Sequence, residues 1–323
     1  MAISKVTLNG VTQMDVTQDS VTEETLLTGE TATKANGMRT TGALDLPIGV
    51  GEPYDGVDLT TKFASEIATY SNNPWAWIKA RITAGNYSGL CIGDYIPFTC
   101  QNTAATELKA RIIGINTYKQ YGTTAIGNHI DFWAGLWDTN KPINVVNYNN
   151  GTSVSSHPWL ASDAYLYANS LQGSVPSTAT ANPTLASKDY RTNGIYYFLP
   201  TNLKNVIVEK SVVLEQRYDA SSLLSDANAM ADVNIGKIWF PHVIEVCGAT
   251  YWTDTGYASC GFIAYPFFQA NMNRFAFGKS NWWLLSPSSG ATTYWCYCTN
   301  VGHINRTGAS NAYIKLPICF RIA

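Results

Sequence analysis

All ten tryptophans and all 19 tyrosines of this 323-residue chain lie beyond residue 46, and this asymmetry constrains the fold more than any motif. Residues 1 to 46 are rich in Thr and Val, punctuated by Gly29, Gly37 and Gly42. A segment of that length without large rings cannot build a sufficient core of its own. It is expected to be a β-rich module that buries surface against copies of itself or against another protein. A linker at residues 47 to 56 follows, within the Gly- and Pro-dense LPIGVGEPYDGVD. Residues 57 to 323 then hold enough aromatic and aliphatic mass for one large domain.

Local signals give this organisation an α+β character. Val6 to Val11 reads as strand–turn–strand about Asn9-Gly10, and ATKANGMRTTGAL as a second hairpin about Asn36-Gly37. Thr22 with Glu23, Glu24 and Leu26-Leu27 reads as a single capped helical turn. Asn73-Pro74 is an N-cap followed by Pro at the first helical position, with Trp75, Ile78 and Ile82 on one face. CIGDYIPFTC and ELKARIIGINTY read as strands, Ser162-Asp163 caps a helix through Leu171, and residues 173 to 188 form a loop. Pro200 opens a helix carrying Leu203, Val206 and Ile207. KIWFPHVIEVCG and the stretch from Trp282 onward read as short strands, so helices are expected on one side of irregular antiparallel sheets.

Composition narrows the function classes. Charged residues are only 14% and the formal net charge is −2, without a Lys/Arg run, which gives no footprint for nucleic acid or an anionic membrane. The missing charge is replaced by neutral hydrogen-bonding residues, as in β-rich extracellular or virion proteins. The start, MAISKVTLNG, lacks the apolar core of a signal peptide, and no run approaches 18 apolar residues. The expectation is a protein made in a cytoplasm, not inserted in a membrane, and released by lysis. Its seven cysteines are odd in number and irregular in spacing, and read as reduced, buried small hydrophobes.

No constellation carries chemistry. His129, His157, His242 and His303 lack the partner spacing of a metal site, and Cys296-Tyr297-Cys298 is one residue short of CxxC. Gly-x-Ser-x-Gly, the Walker loop and GxGxxG are absent. Asp94 reads as a turn cap, and Glu209 and Glu215 as solvated residues of a part-helical region. The reading is therefore no catalytic residue, no metal and no cofactor, with a polysaccharide-degrading carboxylate pair as the remaining enzymatic alternative.

Aromatic residues concentrate near the C-terminus: Trp282, Trp283, Tyr294, Trp295, Tyr297 and Tyr313, among Ser, Thr, Asn and Gly. Stiff amphipathic rings beside small polar residues suit a binding surface. Tyr294, Trp295, Tyr297, Thr299, His303, Asn305, Arg306 and Tyr313 are the expected ligand-binding residues, with Trp295 and Tyr297 as anchors on one face. Trp282, Trp283, Pro287, Leu316, Pro317 and Phe320 are expected to be scaffold.

NWWLLSPSSG and NVGHINRTGASNAYIKLPICFRIA resemble the C-terminal "W-W-L-R-S-P … G … N … P-x-F-R-I" pattern of a domain common in phages and gut bacteria. That domain resembles the C-type-lectin-like fold of the formylglycine-generating-enzyme type. IGDYIPF, GNHIDF, ASDAYLYAN, LPTNLKNVIVEK and KIWFPHVIEVCG also look like its segments, extending the resemblance over about residues 75 to 323. Leu285 departs from it, standing where the family commonly has Arg. The segment VTQDSVTEETLLTGETATKANGMRTTGAL is similar to an N-terminal motif of phage tail and virion structural proteins.

The resemblance implies a bacteriophage virion surface protein, made in the host bacterial cytoplasm. Residues 1 to 46 would join it to other virion structural proteins. The lectin-like domain would bind a host surface protein or glycan, and such receptor-binding proteins are commonly homotrimers. Domains of this type are also the variable proteins of diversity-generating retroelements, and Thr293 to Tyr313 is where such diversity would lie. The alternative is a decoration protein of capsid or tail that stabilises the particle without receptor binding.

Overall fold

The computed structural model describes residues 56–118, 127–147, 158–180, 183–215, 230–253, 258, 260–269, 273–274, 280–288, 291 and 293–323. Four backbone strands are also described nearer the N-terminus. The chain divides into two compact units, Met1–Tyr54 and Asp55–Ala323. In the first, β1 (Lys5–Leu8) pairs antiparallel with β2 (Val11–Asp15), and β3 (Thr31–Thr33) with β4 (Arg39–Thr41). Both hairpins flank the Asn-Gly dipeptides read from sequence. The helical turn expected at Thr22 lies outside the described residues.

The second unit opens with α1 (Leu59–Lys62), α2 (Ala64–Ala68) and α3 (Pro74–Thr83), then β5 (Tyr95–Thr99), β6 (Glu107–Ile115) and β7 (Ile130–Asn140). Next come α4 (Asp163–Asn169), β8 (Gln172–Pro176), β9 (Leu185–Asp189), α5 (Ile195–Phe198), α6 (Thr201–Lys204) and β10 (Ile207–Val208). Then follow β11 (Ser211–Glu215), β12 (Met230–Asn234), α7 (Val243–Cys247) and α8 (Pro266–Gln269). The chain ends in β13 (Trp282–Pro287), β14 (Tyr294–Cys298), β15 (Ile304–Gly308) and β16 (Lys315–Ile322). The class is α+β.

One sheet organises this unit, in the order β15-β14-β13-β16-β7-β6-β5, with β10 also paired to β16. All its pairs are antiparallel except β13 with β16, where Trp282 faces Lys315. β14 reverses β13 and β15 reverses β14, so the connection 309–314 must run back along the sheet to bring β16 alongside β13 in the same direction. Every residue of β16 after Lys315 is buried, which makes it the spine of the sheet.

Alternation along β7 and β16 sends Phe132 and Phe320 to one face and Trp133 and Cys319 to the other. Trp75 of α3 packs edge-on against Phe132 and Phe320 on the first face. Trp133 packs on the second against Phe268 of α8 and against Trp282. Helices therefore cover both faces, a correction to the one-sided packing expected from sequence. The reason is that β6, β7 and β16 are apolar on both faces, and each face must be sealed.

The cap signals hold where they are chemical. Asn73 Oδ1 accepts from Trp75 N and Ala76 N, and Ser162 Oγ from Tyr165 N. Asp94 ties a turn by accepting from Val57 N and Cys91 N. Four readings fail. Residues 173 to 188 hold the hairpin β8–β9 rather than a loop. The helix after Pro200 ends at Lys204, and Ile207 belongs to β10 and pairs with Ile322; likewise Glu209 and Glu215 lie in strand surroundings, not helical ones. KIWFPHVIEVCG contains α7, because His242 and Glu245 close a capping box: His242 Nδ1 accepts from Ile244 N and Glu245 Oε2 from His242 N.

Candidate ligand-binding surface

The hairpin β14–β15 has two faces, fixed by its register: Tyr294 opposite Gly308, Cys296 opposite Arg306, Cys298 opposite Ile304. These six share one face. Trp295 opposite Thr307 and Tyr297 opposite Asn305 share the other. Trp282 pairs with Cys298, so the first face lies on the α8 side of the sheet.

The second face belongs to the scaffold. Trp295 is 0% exposed and its indole N–H donates to Leu284 O at 2.6 Å. Tyr297 is half-buried, edge-on to Trp283, whose own N–H donates to Lys141 O. The expected anchor pair does share a face, but Trp295 is a core residue with no exposed surface to offer a ligand. Trp282, Trp283, Pro287, Leu316, Pro317 and Phe320 are buried as expected. Leu285 is fully buried with its N–H donating to Pro241 O, so the apolar residue at this position sits in core and not in a polar contact.

The first face carries the open surface. Arg306 lies over the ring of Trp252 at 4.4 Å and over that of Tyr294 at 5.6 Å, while Nη1 donates to Ser288 Oγ at 3.2 Å. Tyr294 is 40% exposed, Trp252 48% and the adjacent Tyr251 57%. Trp252 adopts φ +58°, a left-handed backbone that a bulky residue rarely takes and that costs free energy unless its surroundings fix it. Stacking on Arg306 is one such fixing contact, and cation–π pairing at a partly exposed site contributes about 0.5–1 kcal/mol.

Beside this stack lies a cavity of about 310 Å³ lined by Cys247, Tyr251, Arg274, Gly302, His303 and Ile304. Thr299 to His303 form the hairpin loop: Gly302 N donates to Thr299 O, and His303 N to Thr299 Oγ1. Gly302, at φ +80°, makes the turn that places exposed His303 at the cavity mouth. Cys247 lines the cavity, and Cys296 and Cys298 are buried. Burial pushes Cys298 up to about 12, with Arg274 acting in the opposite direction, and it raises Cys296 and Cys247 as well. Thr253 Oγ1 and Asn273 Oδ1, next in sequence to Trp252 and Arg274, are buried without a hydrogen-bond partner.

The eight expected residues therefore divide. Tyr294, Arg306 and His303 come together on the open face. Thr299 is spent on the loop, and Asn305 is exposed but opposite, its Oδ1 accepting from Arg306 N. Tyr313, 85% exposed, sits in the β15–β16 connection. Tyr251, Trp252 and Arg274 were missed. The aromatic pair in ATYWT was the available signal, hidden because the segment before it was read as strand; Arg274 gave none.

A second polar constellation is fully buried between the sheet and α7. Lys210 Nζ donates to Glu245 Oε1 at 2.6 Å and to Tyr265 OH at 2.9 Å, and stands 3.7 Å over the Trp239 ring. Tyr118 OH donates to the same Glu245 oxygen, and Tyr265 OH to Asp131 Oδ2 at 2.8 Å. Arg321 clasps Asp131 with two bonds of 2.7 and 2.8 Å. Desolvation works against the Asp131 carboxylate, but Arg321, together with Lys210 and His129, holds the group down at about 2. His129 Nε2 accepts from Tyr118 N, and burial lowers its basicity. Two cations and two anions balance here without solvent contact, an arrangement that joins β7, β16 and α7. Among the described residues no group of three or more His, Cys, Asp or Glu could hold a metal ion.

Compared with family models, with curated proteins and with solved structures, the chain matches none.

Proposed function

We propose that this is a bacteriophage virion surface protein whose C-terminal domain, of the C-type-lectin-like kind, binds a host-cell receptor through the α8-side face of β14–β15. The observation that carries this reading is the part-exposed stack Trp252–Arg306–Tyr294, with Trp252 on a left-handed backbone, mounted on the β14–β15 end of the sheet. Rigid aromatic and Arg anchors at low entropic cost are what binding hot spots use. The segments resembling phage tail and gut-phage domains supply the virion context, with residues 1 to 46 as the attachment module of a homo-oligomer, a trimer by the same resemblance. Thr293 to Tyr313, the stretch where retroelement diversity would fall, supplies Tyr294, His303 and Arg306 to this face.

Adsorption of the purified protein to the bacteria on which the phage grows tests the proposal. Trp252→Ala and Arg306→Ala should each weaken adsorption about thirtyfold, equivalent to about 2 kcal/mol, with melting little changed. Unchanged adsorption in both variants sinks receptor binding at this face and favours the decoration protein.

A further inference from the structure

Independently of what the outer surface binds, we infer that Lys210 and Glu245 condense after folding into an intramolecular amide between Lys210 Nζ and Glu245 Cδ. Their ion pair is the reactant state: both side chains are 0% exposed and Nζ lies 2.6 Å from Oε1. The rings of Trp239, Tyr118 and Tyr265 enclose the amine, with centroids at 3.7, 4.9 and 5.1 Å. Desolvation disfavours the charged form of a lysine and so activates it as a nucleophile. Burial accordingly lowers the basicity of Lys210, against the pull of the Glu245 and Asp131 carboxylates. Both Glu245 oxygens are engaged: Oε1 accepts from Tyr118 OH and Lys210, and Oε2 from His242 N at 2.8 Å. Donors on both oxygens draw electron density from Cδ, where the amine attacks. The capping box of α7 fixes the acid, and Lys210 is fixed by backbone bonds from its N to Gly236 O and from Ile235 N to its O. Two reacting groups held in contact meet without the entropy cost of encounter.

Lys210 first passes a proton to Oε1 along their short bond, leaving a neutral amine beside a carboxylic acid. The nitrogen lone pair attacks Cδ, and the charge that develops on Oε2 falls on the His242 N–H. The nitrogen then yields a second proton to Oε1, the Cδ–Oε1 bond breaks, and Oε1 leaves as water. The third ammonium proton stays on the amide nitrogen, and nothing is oxidised or reduced. A hydroxyl stands at each end of the second transfer: Tyr265 OH at the nitrogen, 2.9 Å away, and Tyr118 OH at the departing oxygen. The Trp239 indole N–H, buried without a hydrogen-bond partner, is a donor for the departing water. Condensation is disfavoured in bulk water, but here solvent is excluded and two buried charges become one neutral amide. Lys141 and Asp163 also pair at 2.7 Å, but that lysine is 17% exposed and the pair stays ionic. The new bond closes a loop across 35 residues and restricts the unfolded chain.

Intact mass spectrometry of the full-length protein, reduced and denatured, should read one water molecule below the mass of its sequence. Trypsin should fail to cut after Lys210, and one branched peptide should carry Lys210 and Glu245 together. Lys210→Met combined with Glu245→Gln, which removes both charges, should restore the full sequence mass. Tyr265→Phe keeps the ring but removes the hydroxyl at the nitrogen, and should leave a measurable fraction uncondensed while still melting cooperatively. The full sequence mass in the wild type, with Lys210 and Glu245 on separate peptides, overturns the inference. A missing water that persists in the double variant, or that maps to Lys141 and Asp163, overturns it as well. Complete condensation in Tyr265→Phe overturns the part given to that hydroxyl. Each of these outcomes leaves the proposed receptor binding standing, since adsorption is measured separately.

Discussion

Trp295 has no exposed surface and donates its indole N–H inward, whereas Trp252 leaves about half its surface open over Arg306. Truncation should separate them. Trp295→Ala opens a cavity beneath β13 and orphans Leu284 O, and should destabilise the domain by about 3–5 kcal/mol. Trp252→Ala removes a surface contact and leaves a Cβ on the same left-handed backbone, so its melting temperature should stay within a few degrees of wild type. Differential scanning calorimetry on the two variants checks this. The cysteines give a second contrast at this scale. All seven are free thiols, and Cys91 is the exposed one. Burial pushes Cys100 up to about 12 and Cys319 well above the thiol range. Iodoacetamide on the native protein should therefore label Cys91 first, and all seven sites only after unfolding, as read by peptide mass spectrometry.

At the scale of elements, short pieces are held by their ends. The Asn73 side chain supplies two of the backbone acceptor contacts that α3 lacks at its start, so Asn73→Ala should cost about 1 kcal/mol and Asn73→Gly a few tenths. Thermal melting of the full chain resolves that order, and equal losses would show that the cap is not what matters. The hairpin loop links an element to the candidate site. Gly302→Ala forces a Cβ onto a backbone at φ +80°, so it should lower the melting temperature and displace His303 from the cavity mouth. The capping box of α7 does comparable work inside the molecule, since Glu245 both closes the helix and receives Lys210. Helix and buried network are thus formed together.

Across the whole second unit, the buried charges tie the C-terminal strand to elements far away in sequence. Lys210→Met leaves Glu245 uncompensated and should cost about 3–5 kcal/mol, more than the change of Lys210 to Met and Glu245 to Gln together. The same network sets the acid limit. His129 stays neutral when folded, its folded pKa lying below the ordinary 6.5, so an unfolded chain binds a proton that the folded one refuses. Stability should therefore begin to fall as pH drops below 6.5. Asp131, depressed from 3.8 to about 2, contributes stability present above 3.8 and lost as pH falls toward 2. Melting temperatures between pH 7.5 and 2 should show both losses, and His129→Gln should flatten the first; an unaltered first slope would count against this assignment.

What the sequence determined by itself was local chemistry and gross partition. Asn-Gly hairpins, the Asn73-Pro74 and Ser162 caps, the β5 to β7 strands and the buried scaffold of Trp282, Trp283 and Phe320 follow from side-chain bonds or periodicities that close within a few residues. The α+β class follows from them. The candidate site was legible only in part, as Tyr294, His303 and Arg306. Alternation told that Trp295 and Tyr297 share a face but not which face meets solvent, because that depends on what packs over the hairpin. Tyr251, Trp252 and Arg274 arrive from other elements, and no local rule links them to the hairpin. The Lys210–Glu245–Asp131–Arg321 network was invisible for the same reason: its partners are joined by strand pairing and helix packing, and a buried charge is tolerable only where tertiary structure supplies its counter-charge.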